Sequence, residues 1–171
     1  MTEIVQQVLT DDGDIPNNAR LPLLLYKGAV DVSGSDPDGA FEHVFHANGW
    51  GNGWRGGVIY SFHHYHAKAH EAVGIAKGSA RLQFGGPAGP VFEVEAGDAA
   101  LIPAGVGHCR LDDSPGLSVV AAYPPGQAPD MNRQGERDRA GIRTSIEAVE
   151  LPASDPLMGG QGPAVSVWRG A

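Results

Sequence analysis

Short apolar runs separated by glycine and proline turns dominate the middle of this chain. Seven such runs have the length and the β-branched or aromatic content of β-strands. They cover residues 58–66, 71–76, 79–84, 91–95, 99–103, 107–111 and 117–123. So many short strands within about 70 residues predict an all-β barrel or sandwich.

The chain has 171 residues, enough for one domain with some extension. We predict an N-terminal arm and helix at residues 1–49, a barrel at 50–125 and a C-terminal extension at 126–171. A helix over residues 37–48 would be capped by Ser35 or Asp36, with Pro37 in its first turn. A second short helix is expected between residues 135 and 150, an edge strand at 21–26 and a last strand at 165–168.

Charge and cysteine content exclude several functions. Twenty acidic residues against 12 basic ones give a formal charge of −8, and no run of Lys or Arg is present, so nucleic acid is not an expected partner. No apolar stretch is long enough for a signal or a membrane segment, so no membrane partner is expected either. Cys109 is the only cysteine, which suits a reducing compartment, and we expect a cytoplasmic protein.

Four of the seven histidines lie close together, and an acidic residue follows them. They are His63, His64, His66 and His70, followed by Glu71. On a strand over residues 58–66, alternation places His64 and His66 on one face and His63 on the other. In the next run Glu71 shares parity with the apolar positions and should face inward, whereas His70 should face away. His63 and His70 are therefore expected to be surface, packing or interface residues, with His70 the substitute if Glu71 is displaced.

A second pattern downstream adds one more histidine. Gly97 and the segment Pro103-Ala104-Gly105 read as turns around a short strand, and the second turn delivers His108 at the start of the next strand. Three imidazoles and one carboxylate form a mixed nitrogen and oxygen set for manganese, iron, nickel, cobalt or zinc. We predict that one such divalent metal binds His64, His66, Glu71 and His108.

The two patterns resemble the paired motifs of the cupin superfamily. His64, His66, Glu71 and Gly78 match the first motif, and Gly97, Pro103, Gly105 and His108 match the second. The match covers roughly residues 54–123, and the wider chain is similar to a bacterial group of single-domain cupins. This resemblance implies a double-stranded β-helix, or jelly-roll barrel, with the metal inside. Val58 and Asp112 depart from the family pattern, which has glycine and asparagine there, but neither is a predicted ligand.

The resemblance also implies a metal-dependent enzyme that acts on a small organic acid, phenol or sugar-like molecule. Oxygenase or oxidase chemistry is favoured over that of an isomerase or decarboxylase. Candidate catalytic residues are Glu71, Tyr60 and Arg110. Tyr60 shares the face of the ligand histidines, and Arg110 shares the parity of His108 and would need an anion if it faced inward.

Two other functions stay open. The protein can be a non-catalytic cupin that binds a small molecule through the metal, or a metal-free epimerase-like cupin with a histidine base and a tyrosine acid. A homodimer is expected in each case, because short barrels leave edge strands that a second copy can cover.

Overall fold

The computed structural model describes all 171 residues. Its strands are β1 (Glu3–Leu9), β2 (Asn18–Lys27), β3 (Gly51–Gly57), β4 (His64–Tyr65), β5 (Glu71–Lys77), β6 (Ser79–Phe84), β7 (Val91–Glu95), β8 (Ala99–Ile102), β9 (His108–Asp113), β10 (Ser118–Tyr123) and β11 (Asn132–Arg133). Its helices are α1 (Pro37–Ala47), α2 (Arg139–Ala148) and α3 (Pro163–Ser166), with a 3-10 turn at Trp168–Gly170. None of the helices combines the length and the apolar character that crossing a membrane requires.

The strands form two antiparallel sheets. One has six strands in the order β1-β2-β8-β5-β10-β3, and the other has five in the order β11-β4-β9-β6-β7. From β4 to β10 the chain changes sheet at every connection except β6 to β7. This alternation between two facing sheets is the jelly-roll arrangement. The predicted all-β jelly roll, with one helix near 37–48 and a short C-terminal helix, is confirmed.

The central strands of the six-stranded sheet are buried on both faces. In β2, Leu23 and Leu25 face the second sheet, whereas Leu24 and Tyr26 face the other side. That outer side is covered by α1 and by the C-terminal segment, which contributes the buried Trp168. The central strands therefore read as continuous apolar runs, because neither of their faces contacts water.

Helix α1 is set close to the sheet by one glycine. Its first turn is capped by Asp36, whose side chain accepts from the Gly39 N–H at 3.0 Å, and Pro37 follows the cap. Phe41 packs directly over Gly74 of β5, where a Cβ atom would lie 2.2 Å from the ring. Only a hydrogen atom at position 74 permits this contact.

The strand predicted at 58–66 is wrong in its bounds. The chain forms β3 earlier, over Gly51–Gly57, and returns to a strand only at β4. Gly56 has φ +68° and lies inside β3, where the pairing with β10 changes register. Gly53 lies against β10, where a Cβ would sit 1.7 Å from the Ala121 carbonyl oxygen. Close packing against β10 therefore requires glycine at position 53. A segment with this many glycines resembles a loop in the sequence, which is why the strand was not predicted.

Two further elements differ from expectation. The strand predicted as an edge at 21–26 is internal, because β2 pairs with both β1 and β8. Pro22 lies where the pairing with β1 changes register, so its missing N–H disturbs no regular ladder. Residues 165–168 are helical rather than extended: Pro163 begins α3, and the Trp168 indole N–H donates to the Pro22 carbonyl at 2.9 Å.

Candidate metal centre

Three histidines from two neighbouring strands converge between the sheets. The ligand nitrogens of His64, His66 and His108 all lie within 4.8 Å of one another, and all three residues are buried. His64 on β4 is paired directly with His108 on β9, and their ring centroids are 4.1 Å apart. His66 follows β4 immediately. Three buried histidines this close together can bind a metal ion.

Backbone carbonyls fix the orientation of each imidazole. The Nδ1 atoms contact the carbonyl oxygens of Phe62 (3.0 Å from His64), Asp130 (2.5 Å from His66) and Val106 (3.1 Å from His108). Since a carbonyl only accepts, each Nδ1 carries a hydrogen, and in the neutral imidazole Nε2 is then left with a lone pair. This is the tautomer in which a histidine binds a metal through Nε2 while its other nitrogen is held by the protein.

Glu71, the first residue of β5, contacts two of the three histidines. Its Oε2 lies 3.2 Å from Nε2 of both His66 and His108. Its Oε1 accepts a hydrogen bond from the Tyr123 hydroxyl at 2.8 Å. Burial raises the pKa of the Glu71 carboxyl, but the interactions with His108 and His66 outweigh burial and leave the pKa below its usual range. The residue is therefore a carboxylate with one oxygen held and one directed at the histidines.

The pKa values of His64, His66 and Tyr123, which surround Glu71, shift in different directions. Burial and the adjacent His108 lower the pKa of His64 to about 3, so its imidazole is neutral. Burial also lowers the pKa of His66, but the contact with the Glu71 carboxylate outweighs burial, and the net pKa is raised. Burial and the Glu71 charge raise the pKa of Tyr123, so its hydroxyl keeps its proton and stays a donor.

This set of atoms fits a divalent transition metal. Three Nε2 lone pairs and one carboxylate oxygen are all acceptors, and the mixture of imidazole and carboxylate is one that manganese, iron, nickel, cobalt and zinc accept. Burying three imidazoles and a carboxylate this close together without a cation would be costly.

Two hydrogen bonds connect the turn before His108 to the segment that carries His66 and His70. Gly105, at φ +91°, donates its N–H to the His66 carbonyl at 2.8 Å. The Ala104 N–H donates to His70 Nδ1 at 2.9 Å. His70 is buried and packs on Trp168, with ring centroids 4.8 Å apart, so it lies outside the histidine cluster and supports the turn. It is a packing residue and not a surface one.

A cavity of about 660 Å³ opens from the cluster to the surface. It is lined by Asn52, Trp54, Arg55, Gly57, Val58, Ile59, Tyr60, His64, His66, Glu71, His108, Tyr123, Pro129, Asp130 and Met131. Tyr60 lies at its mouth and is half exposed. Arg110 does not line the cavity: its Nε donates to the Ile59 carbonyl at 2.9 Å, and its guanidinium pairs with Asp113 at 3.2 Å. His63 is half-buried and also lies outside the cavity lining.

Three residues of this region had not been assigned to the site from the sequence. Tyr123 shares the parity of Ala121 on β10, so alternation could have placed it inward beside Glu71. Trp54 lies before the first strand predicted for the barrel, so alternation assigned it no direction. Asp130 gave no signal, because its main-chain carbonyl contacts His66 while its carboxylate anchors the loop by accepting from the Ala67 N–H at 2.8 Å.

Comparison with known proteins places the chain in a family. No protein-family model matches it. A chain from crystal structures of the DMSP lyases RdDddP and RnDddQII is 16% identical, with a TM-score of 0.34 over 66% of this chain and 43% of that one. The uncharacterized protein YjlB of Bacillus subtilis (strain 168) is 38% identical over 158 residues, which are 92% of each chain. At that identity and coverage, the chain belongs to the YjlB family.

Proposed function

We propose that this protein is a metal-dependent cupin enzyme that acts on a small organic molecule. One divalent transition metal would bind Nε2 of His64, His66 and His108 and Oε2 of Glu71. The observation that carries this proposal is the position of these atoms: the three histidine nitrogens lie within 4.8 Å of one another, Glu71 Oε2 lies 3.2 Å from two of them, and all four residues line an open cavity of about 660 Å³. A metal site that serves only structure is closed by protein ligands, whereas a catalytic site keeps access for substrate.

A metal bound there would polarise a carbonyl or carboxylate oxygen or, if redox-active, support oxidation by dioxygen. Glu71 and the three histidines act as ligands, and the Tyr123 hydroxyl holds a proton at the cavity wall. Tyr60, at the mouth, contacts the substrate. Arg110 supports the loop before β4 through the Ile59 carbonyl and takes no part in chemistry.

Among the possible reactions we favour that of an oxidase or oxygenase. An isomerase needs a side chain that removes a proton from the substrate. In this cavity the His Nδ1 atoms are bound to carbonyls, and Glu71 is assigned to the metal. Asp130, the other acid in the lining, uses its carboxylate to accept from backbone N–H groups. No carboxylate or imidazole of the lining is left free to act as a base.

Metal content and oxygen uptake test the proposal together. The purified protein is loaded in turn with each of the five metals, and stoichiometry is measured for the wild type, His108→Ala and the control His43→Ala, which changes an exposed histidine of α1. We expect one metal per chain in the wild type and in the control, and little metal in His108→Ala. The metal-loaded wild type should take up oxygen when acids or phenols are added. Metal binding without turnover across the panel would favour the non-catalytic binder. Failure to take up metal would favour the metal-free epimerase.

We also propose that the protein is a cytoplasmic homodimer. Strand β1 is an outermost strand of the six-stranded sheet and pairs only with β2, so one side of its backbone is open to a second copy over seven residues. Cys109 is buried and has no partner cysteine, which suits a reducing compartment. Light scattering on the eluted protein tests the dimer, and a monomeric mass at tens of micromolar would contradict it.

A further inference from the structure

We propose that the ligand of this cavity has a single metal-binding oxygen group and an uncharged, aromatic or apolar body. Phosphorylated, polyanionic and polyhydroxylated molecules are thereby excluded. The inference rests on the proposed metal site, and it narrows the range of substrates to phenols, aromatic acids and acids with a short apolar chain.

The mouth of the cavity is unusually apolar for a surface. Nine large hydrophobic residues of the chain are exposed, and four of them line this cavity: Trp54 (37% exposed), Val58 (43%), Tyr60 (52%) and Met131 (46%). Exposed apolar residues scattered singly need no explanation, but a cluster at the entrance of a cavity marks a binding surface. An apolar ligand body would cover these side chains and remove them from water.

Two aromatic rings of this wall are held in place before any ligand binds. Trp54 packs against Gly57, where a Cβ atom would lie 2.8 Å from the indole ring. Tyr60 stacks on Phe62 with ring centroids 4.9 Å apart, and the Arg133 guanidinium lies 3.7 Å from the centroid of Phe62. Rings fixed in this way lose little conformational freedom on binding, which favours recognition of a flat apolar body.

No free charge faces the part of the cavity away from the metal ligands. Arg55 is the one basic residue in the lining, and its guanidinium is paired with Asp36 at 2.6 Å and Glu42 at 2.9 Å. Arg110 lies outside the lining. The Asp130 carboxylate accepts from backbone N–H groups. A second charge on the ligand would therefore lose water without gaining a partner.

The cavity wall has few polar groups that could bind the hydroxyls of a ligand. Asn52 is the one amide in the lining, and the Tyr60 hydroxyl is the one hydroxyl besides that of Tyr123. Tyr123 is already bonded to Glu71. A sugar-like ligand would bury several hydroxyls, for which the wall offers few acceptors or donors.

Hydroxamates test the inference because they share one metal-binding group and differ in their bodies. Affinities of the metal-loaded full chain are measured by calorimetry for acetohydroxamate, benzohydroxamate, 4-carboxybenzohydroxamate and gluconohydroxamate. We expect benzohydroxamate to bind about tenfold or more tightly than acetohydroxamate, from the apolar area of the phenyl group. The carboxylated compound should lose about tenfold of this advantage, and gluconohydroxamate should bind no better than acetohydroxamate.

Two variants test whether Trp54 and Tyr60 cause the preference for benzohydroxamate. Trp54→Ala and, separately, Tyr60→Ala should reduce the affinity ratio of benzohydroxamate to acetohydroxamate from about tenfold to about two- or threefold. Leu111→Ala, an exposed position outside the cavity, is the matched control and should keep the full ratio. Both test residues are partly exposed, so neither change should prevent folding, which circular dichroism checks.

The outcomes separate the two proposals. A direct metal titration without hydroxamate tests the metal site, and its failure overturns the proposed function and this inference with it. Normal metal binding combined with equal affinities for the four bodies, or with ratios that neither variant changes, overturns the inference alone.

Discussion

The Tyr123 hydroxyl donates to Glu71 Oε1 over 2.8 Å, and this bond joins the end of β10 to the start of β5. Because one carboxylate oxygen is held, the other faces His66 and His108, each at 3.2 Å. Hydrogen bonds of this kind orient metal ligands and raise the affinity of a site.

Removing that hydroxyl should weaken metal binding. We expect Tyr123→Phe to lower metal affinity about 10- to 100-fold, the usual cost of losing a partner that orients a ligand. Calorimetric titration with the metal measures it. Tyr26→Phe is the matched control, since Tyr26 makes a similar buried bond to Asp155 at 2.6 Å on the far face of the sheet. Equal loss of affinity in both variants would argue against a specific role for Tyr123.

The Asp130 side chain should matter although it does not face a metal ligand. It accepts from the N–H groups of Ala67 and Lys68 and from the Asn132 amide, which together fix the carbonyl that holds His66. We expect Asp130→Ala to lower metal affinity by about tenfold or more, and Asp130→Asn, which keeps one acceptor oxygen, to restore part of it. Identical behaviour of the two variants would contradict this anchoring role.

Gly74 should be sensitive to the smallest added side chain. A Cβ at this position would lie 2.2 Å from Phe41, so we expect Gly74→Ala to lower the free energy of unfolding by about 1–3 kcal/mol through overpacking. Denaturant unfolding measures it. Gly34→Ala, at a site with open space and ordinary backbone conformation, should change stability by no more than about 0.5 kcal/mol. Combining Gly74→Ala with Phe41→Leu should recover part of the loss, and an unaffected Gly74→Ala protein would show that α1 does not press on the sheet.

Helix α2 is held to the N-terminal segment through Asp11. Arg139 donates to both carboxylate oxygens, at 2.8 and 2.6 Å, and Arg143 also donates to this carboxylate. Partial burial raises the pKa of Asp11, but the Gly13 N–H and the two arginines lower it more, so the net pKa lies below 3.8. Because the folded-state pKa is depressed, the stabilisation is complete above the unfolded value and is lost as pH falls through the folded value.

Asp11→Asn tests this pH dependence. We expect the variant to be less stable than the wild type near neutral pH, and the difference between them to shrink as pH falls below 3.8, where the wild-type carboxylate becomes protonated. Denaturant unfolding at a series of pH values gives both curves. A difference that persists unchanged in acid would mean that the charge of Asp11 is not what stabilises the fold.

The strands from β5 to β10 were predictable because each follows a simple alternation or a buried apolar run between glycine turns. The inward direction of Glu71 followed from its parity with Val73 and Ile75, which lie in the core between the sheets. The region before β4 was not predictable in the same way. Its strand, β3, has four glycines among seven residues, of which Gly53 is required by contact with β10, and such a sequence has little strand propensity to detect.

The outer parts of the candidate site were harder to foresee for a different reason. Alternation describes side chains on strands, but the group that orients His66 is the main-chain carbonyl of Asp130, 64 residues further along the chain. The identity of the side chain at position 130 does not predict a contact made by its main-chain carbonyl. For Arg110, parity with His108 predicted an inward side chain. Its hydrogen bond to the Ile59 carbonyl and its ion pair with Asp113 hold it outside the cavity lining instead.

The most direct measurement is anomalous X-ray diffraction from crystals of the protein grown with cobalt or manganese. We expect one strong peak per chain, at about 2.0–2.3 Å from Nε2 of His64, His66 and His108 and from a Glu71 oxygen. No peak between these four residues, or a peak held by other side chains, would contradict the proposed metal centre.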